Sequence, residues 1–269
     1  MAQLTDTHCH LNLNQFKNDL EQVIQRAQDQ GVALILVPGI DVETSRESLR
    51  LSERYPIVYS AVGIHPNTPQ KWNHAAEEEI LKMATHPKVV AIGEIGLDYF
   101  RDKSPRSDQI LVLEKQLELA ARVAKPVIIH NRDAMQDLWP ILSRWQSQLA
   151  QREEPLAKNP GVMHSYSGDL PMANTAVAQN FFIGLSGPVT FLNAKAHQEL
   201  VSQIPLENIL VETDSPFLAP HPYRGTRNEP SYVKLVVEKI SLLKGLSYQT
   251  VADITAANAS TLFSWRSSD

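Results

Sequence analysis

Eight short apolar runs, spaced by longer amphipathic stretches and loops, restrict the folds open to this chain more than any other feature. They span residues 4–10, 33–39, 57–65, 89–94, 127–130, 161–164, 181–186 and 209–214. Their hydrophobicity is nearly continuous rather than alternating, the pattern of strands covered on both faces. Between them lie helical patterns. The stretch 16–30 sets Phe16, Leu20, Val23, Ile24 and Ala27 on one stripe and stops at Gly31. The stretch 110–124 repeats this with Ile110, Leu113, Leu117, Ala120, Ala121 and Ala124, before Pro126 opens the next run. A helical tail covers 232–263 with a break near Gly245. Parallel strands need crossover connections, usually helices. Eight such units predict an α/β chain folded as a single (β/α)8 TIM barrel, with an open doubly wound sheet as the competitor. No Gly/Ser linker, charge block or low-complexity segment interrupts the chain, so residues 1–269 read as one domain.

The ends of the runs carry the chemistry. Side chains alternate faces along a strand, so in Asp6-Thr7-His8-Cys9-His10 the two histidines share a face with Asp6, and Cys9 lies opposite. The fourth run ends at Glu94, the fifth at His130, the sixth at His164 and the eighth at Asp214. In a barrel these ends converge on the C-terminal rim, where catalytic groups gather. Crowding four histidines and two carboxylates without a partner is costly. Divalent cations explain the cluster, because imidazole and carboxylate suit zinc, manganese, iron or nickel. Six donors exceed the needs of one four-coordinate ion. Two ions sharing a bridging carboxylate use all six and keep positions for water. The expected division gives His8, His10 and Asp214 to one ion and His130 and His164 to the other, with Glu94 between them. His65, ending the third run, faces the same rim and is expected to touch substrate.

Other features narrow the setting. The lone cysteine, Cys9, excludes an intrachain disulfide framework and a cysteine-rich zinc module, and it fits a reducing, cytoplasmic compartment. Residues 1–10 are polar and show no basic segment followed by an apolar one. The longest apolar stretch, near 32–40, contains Pro38 and Gly39 and falls short of the roughly 18 residues of a membrane span. A formal net charge of -5 argues against a broad basic groove for duplex nucleic acid. No nucleophile elbow, phosphate-cradling Gly-rich loop or dinucleotide fingerprint is present.

Three motifs carry a family resemblance: Thr5-Asp6-Thr7-His8-Cys9-His10-Leu11, Gly93-Glu94-Ile95-Gly96-Leu97-Asp98-Tyr99 and Val211-Glu212-Thr213-Asp214-Ser215-Pro216. Together with Ile64-His65-Pro66, His130-Asn131-Arg132, the segment after His164 and Arg224-Gly225-Thr226-Arg227, they resemble the TatD-type metal-dependent DNases of the amidohydrolase-like barrels. The one departure is Ser165-Tyr166, where that family more often has Cys-Phe. The resemblance implies a (β/α)8 barrel, a two-metal hydrolase (zinc, magnesium or manganese), the ligand set His8, His10, Glu94, His130, His164 and Asp214, and nuclease activity on DNA.

The resulting expectation is hydrolysis of a phosphodiester by metal-activated water, with Asp214 and Glu94 catalytic and Asp214 as general base. Arg132, Arg224 and Arg227 are expected on rim loops, pairing with flanking phosphates beside His65. Glu212, on the same face as Asp214, is expected to support the ligands from behind. The acidic net charge favours strand ends or short oligonucleotides over duplex, with no obligate protein partner and no membrane. Metal-hydroxide serves carbonyl carbon as well as phosphorus, so an ester, lactone, amide or aminoacyl-tRNA ester is the alternative substrate. A scaffold without enzymatic activity is a third reading, disfavoured by the full ligand set.

Overall fold

The computed structural model describes residues 3–101 and 103–265. Strands β1 (Leu4–Asp6), β2 (Val32–Pro38), β3 (Val58–Val62), β4 (Val89–Asp98), β5 (Val127–Arg132), β6 (Gly161–Met163), β7 (Phe182–Leu185) and β8 (Ile209–Val211) form one parallel sheet in sequence order. Helices α1 (Leu20–Asp29), α2 (Val42–Arg54), α3 (His74–Ala84), α4 (Arg106–Val123), α5 (Met135–Gln151), α6 (Leu170–Ala178) and α7 (Lys195–Gln203) make the crossovers. After β8 come α8 (Val233–Lys244) and α9 (Tyr248–Phe263), separated at Gly245, whose φ of 65° ends α8 in the left-handed conformation. The sheet closes on itself. Thr7 N donates to Val211 O (3.1 Å), Asp214 N to His8 O (2.8 Å) and His10 N to Ser215 O (2.7 Å). The (β/α)8 barrel expected from the alternation is the fold that forms. Among the described residues no helix is long and apolar enough to cross a membrane.

The strands' two faces build two cores. One set, including Ile35, Val37, Val127, Ile129, Ile183 and Val211, packs beneath the helices against Ile24, Leu117, Leu142 and Val236. The alternate set, Leu34, Leu36, Ala61, Ile128, Val162, Phe182 and Leu210, fills the barrel and meets Leu262, Phe263 and Trp265 from the end of α9. Followed upward in steps of two, this interior face reaches His65 from Ala61, His130 from Ile128, His164 from Val162, and Glu212 and Asp214 from Leu210. One strand face therefore supplies apolar packing low in the barrel and ligand-type side chains at its mouth.

Strand boundaries differ from expectation at this mouth. β1, β3, β6 and β8 stop short of His8, His65, His164 and Asp214, which occupy the loops just beyond. Asp214 has φ 57° and Ser165 has φ 43°, a left-handed backbone that cannot continue a ladder. β4 instead runs on past Glu94 to Asp98, pairing Gly96 with His130 and Asp98 with Arg132 after a register shift between Ile92 and Ile95. Helix α1 begins at Leu20 rather than Phe16; Phe16 closes a 3-10 turn and is buried, and Asp19 stands at the helix start.

Candidate metal centre

Glu94 is the hub of the rim. Its Oε2 lies 3.5 Å from both His8 Nε2 and His10 Nε2, which are themselves 3.1 Å apart. Its Oε1 lies 2.8 Å from His130 Nδ1 and 3.5 Å from His65 Nε2. Asp214 Oδ1 is 3.9 Å and 3.7 Å from His8 and His10. His164 Nε2 is 3.8 Å from both Asp214 Oδ1 and Glu94 Oε1, and its ring stacks on His8 with 3.5 Å between centroids. Among the described residues, groups with donor atoms all within 4.8 Å of one another include His8, His10 and Glu94; His8, His164 and Asp214; and His65, Glu94 and His130.

The structure thus brings together all six ligand-type residues and adds His65. The expected triad His8, His10 and Asp214 lies within the same span, His164 Nε2 stands between Asp214 Oδ1 and the Glu94 oxygen that faces His130, and His65 joins beside His130. His164 is oriented from behind. Its Nδ1 is 3.0 Å from Glu212 Oε1, which also accepts the Ser165 N–H, and this turns Nε2 toward Asp214. Gly184 makes that arrangement possible, since a Cβ there would stand 2.7 Å from Glu212 Oε2.

Protonation suits cation binding. Burial, with His164 close by, holds His8 well below the usual histidine range, and burial brings His10 to about 4. Both rings are therefore neutral near pH 7 and keep a lone pair. Burial works to raise Glu94, yet the histidines around it, His65 first, hold it well below the usual carboxylate range. Burial lifts Asp214 to about 7. At His164 burial opposes charge, but Glu212 carries it up to about 10. The neutral imidazoles of His8 and His10 converging on the Glu94 carboxylate begin the donor set of a divalent-cation site, and the residues present fit one.

The centre opens into a cleft of about 650 Å³. Arg101, Lys103 and Arg132 line it together with Phe217 and Leu218. Arg132 lies over the exposed ring of Phe100 at 3.8 Å, and Phe217 meets His10 edge-on. The other two expected arginines stand outside the lining. Arg224 rests on Phe191 at 4.2 Å. Arg227 pairs with Asp19 Oδ1 and Oδ2 at 2.7 and 2.6 Å and donates to Gln15 O, so it fastens the start of α1 rather than facing the cleft. Arg101 and Lys103 escape a sequence reading that ends the fourth strand at Glu94, although they closely follow the Gly93–Tyr99 motif. Asp98 is missed for the same reason: its Oδ2 lies 3.2 Å from His130 Nε2. Cys9 is buried, with Sγ 2.9 Å from Ser215 Oγ. Ser215 and Thr213 connect it to Asp6, whose carboxyl burial pushes up to about 8.

Comparison with known proteins places this architecture. The family model described as TatD related DNase matches residues 5–264. The metal-dependent hydrolase YabD of Bacillus subtilis is 44% identical over 260 residues, covering 97% of this chain and 98% of its own. The 3′-5′ ssDNA/RNA exonuclease TatD of Salmonella typhimurium is 34% identical over 264 residues, 96% of this chain and 98% of its own. Among solved structures, YJJV, a TatD homologue from Escherichia coli K12, superposes with a TM-score of 0.90 at 32% identity, covering 98% of this chain and 99% of that one.

Proposed function

The chain belongs to the TatD family of metal-dependent hydrolases, and from that premise we propose that it hydrolyses phosphodiester bonds at the ends of single-stranded DNA or short oligonucleotides. The observation that carries this reading is the pairing of a buried histidine–carboxylate cluster with a cleft walled by Arg101, Lys103 and Arg132. The exonuclease relative from Salmonella supports it.

In this reading two divalent cations, zinc, magnesium or manganese, would draw their ligands from His8, His10, Asp214, His130 and His164, with His65 close by and Glu94 within reach of both sides. Bound there, such cations polarise a phosphoryl oxygen and bring the pKa of water toward about 7. The remaining work belongs to the chain. Asp214 accepts a proton from the attacking water. Glu94 stays a carboxylate throughout. Arg101, Lys103 and Arg132 pair with phosphates next to the scissile one. The exposed ring of Phe217 offers a base a stacking surface, worth about 1–3 kcal/mol per base. A duplex end keeps its terminal base paired and denies that contact.

The test uses metal-stripped protein reloaded with zinc, magnesium or manganese in turn. Substrates are a 3′- or 5′-labelled single strand, the same sequence as blunt duplex, a neutral lactone and an aminoacyl ester. Stepwise shortening of the single strand, faster than of the duplex, is the expected result. Turnover of the lactone or ester exceeding that of the oligonucleotide overturns the proposal.

A further inference from the structure

We propose that Asp98 is the positioning residue that decides which ring nitrogen His130 turns toward Glu94. The inference rests on the reading of His130 as a cation ligand.

The imidazole of His130 lies between two carboxylates. Nδ1 is 2.8 Å from Glu94 Oε1, and Nε2 is 3.2 Å from Asp98 Oδ2. A neutral imidazole has one N–H and one lone pair, and a carboxylate can only accept. Whichever carboxylate takes the N–H leaves the lone pair on the opposite nitrogen. Asp98 is built to take it. It is 1% exposed, and its Oδ1 already accepts the Arg101 N–H at 3.0 Å. Its backbone is clamped by Gln109, which accepts from Asp98 N at 2.9 Å and donates to Asp98 O at 3.2 Å and Ser104 O at 3.1 Å. The side chain therefore has one free oxygen, aimed at Nε2, and this leaves Nδ1 unprotonated toward Glu94.

Strand geometry brings the two residues together. β4 stays paired with β5 through Gly96, opposite His130, and Asp98, opposite Arg132. Gly96 has φ 149°, and a Cβ there would sit 1.9 Å from His130 O, so only glycine lets the strands run this close. His164 shows the complementary arrangement, with Nδ1 held by Glu212 and Nε2 facing inward. Two outer carboxylates, one at the end of β4 and one just past β8, thus present opposite nitrogens to one centre, and their loss costs metal affinity rather than fold.

The test reads zinc binding and ring protonation. In zinc-loaded protein, long-range 1H–15N correlation is expected to show His130 protonated on Nε2. This measurement on the unaltered chain stands whether or not a variant folds. In Asp98→Asn the Arg101 N–H claims the amide oxygen, so the NH2 faces Nε2 and drives the proton to Nδ1. Calorimetric zinc titration of that variant is expected to show one binding event weakened about 10- to 100-fold, the other within twofold, and an unchanged melting profile. A proton on Nδ1 in the unaltered zinc protein, or a variant isotherm matching the parent, overturns the proposal. His130→Ala separates the premise: if it retains both zinc events, the ligand reading fails; if it loses one while Asp98→Asn does not, only the role of Asp98 fails.

Discussion

The two mouths of the barrel share strand faces but use them for opposite purposes. At the lower mouth, Leu34, Leu36, Val90, Ile128 and Phe182 meet Leu262, Phe263 and Trp265, with the Trp265 ring 5.1 Å from Phe263 and 5.5 Å from Tyr59. That end is apolar and is covered by the last turn of α9 and Trp265. At the upper mouth, buried histidines and carboxylates crowd together, and Asp214 sits in a left-handed backbone costing about 1–2 kcal/mol. The contrast teaches that stability and chemistry are divided by height along the strands. Apolar burial at the bottom offsets the desolvation and strain concentrated at the top.

Perturbing one mouth at a time tests this division. The largest expected effect is from Glu94→Gln: turnover falls by about three orders of magnitude or more and bound metal is lost in elemental analysis, while the melting temperature of the metal-free protein holds. Trp265→Ala should do the reverse, costing about 3–5 kcal/mol in denaturant unfolding while leaving turnover per folded molecule unchanged. A Glu94 variant that fails to fold, or a Trp265 variant that folds normally but is inactive, breaks the comparison. A smaller effect sharpens it within the rim. Arg132→Ala should raise KM several-fold and lower the salt slope of oligonucleotide binding by about one, whereas Arg227→Ala should leave KM alone and cost less than about 1 kcal/mol. The smallest effect concerns Asp6. Folded Asp6 keeps its proton to about 8, against an ordinary value of 3.8. Its contribution to stability is complete below 3.8 and fades as pH rises through about 8. Asp6→Asn should flatten that decline in melting temperature across the window; an unaltered pH profile refutes the assignment.

Much of this was legible in the sequence, for a physical reason. Period-two alternation fixes which residues share a face, so Ile128 with His130 and Val162 with His164 point the same way whether or not the ladder continues. Chain ends of strands are less legible. The fourth run reads as ending at Glu94, yet Gly93 and Gly96 are places where β4 presses against β5 and continues, and ending the strand there hid Asp98, Arg101 and Lys103. The buried Glu212–His164 contact, which depends on Gly184 on the neighbouring strand β7, carries no sign in the sequence. Arg227 looked available because a loop arginine carries no sign of the partner it will find, here Asp19 some 208 positions earlier.

The seam between the first and last strands has a consequence for synthesis. His8 is made 206 positions before Asp214, whose amide clasps His8 O. A nascent chain holds an unfinished coordination sphere throughout that interval. The donor set of the candidate centre is therefore completed only by the segment that follows β8.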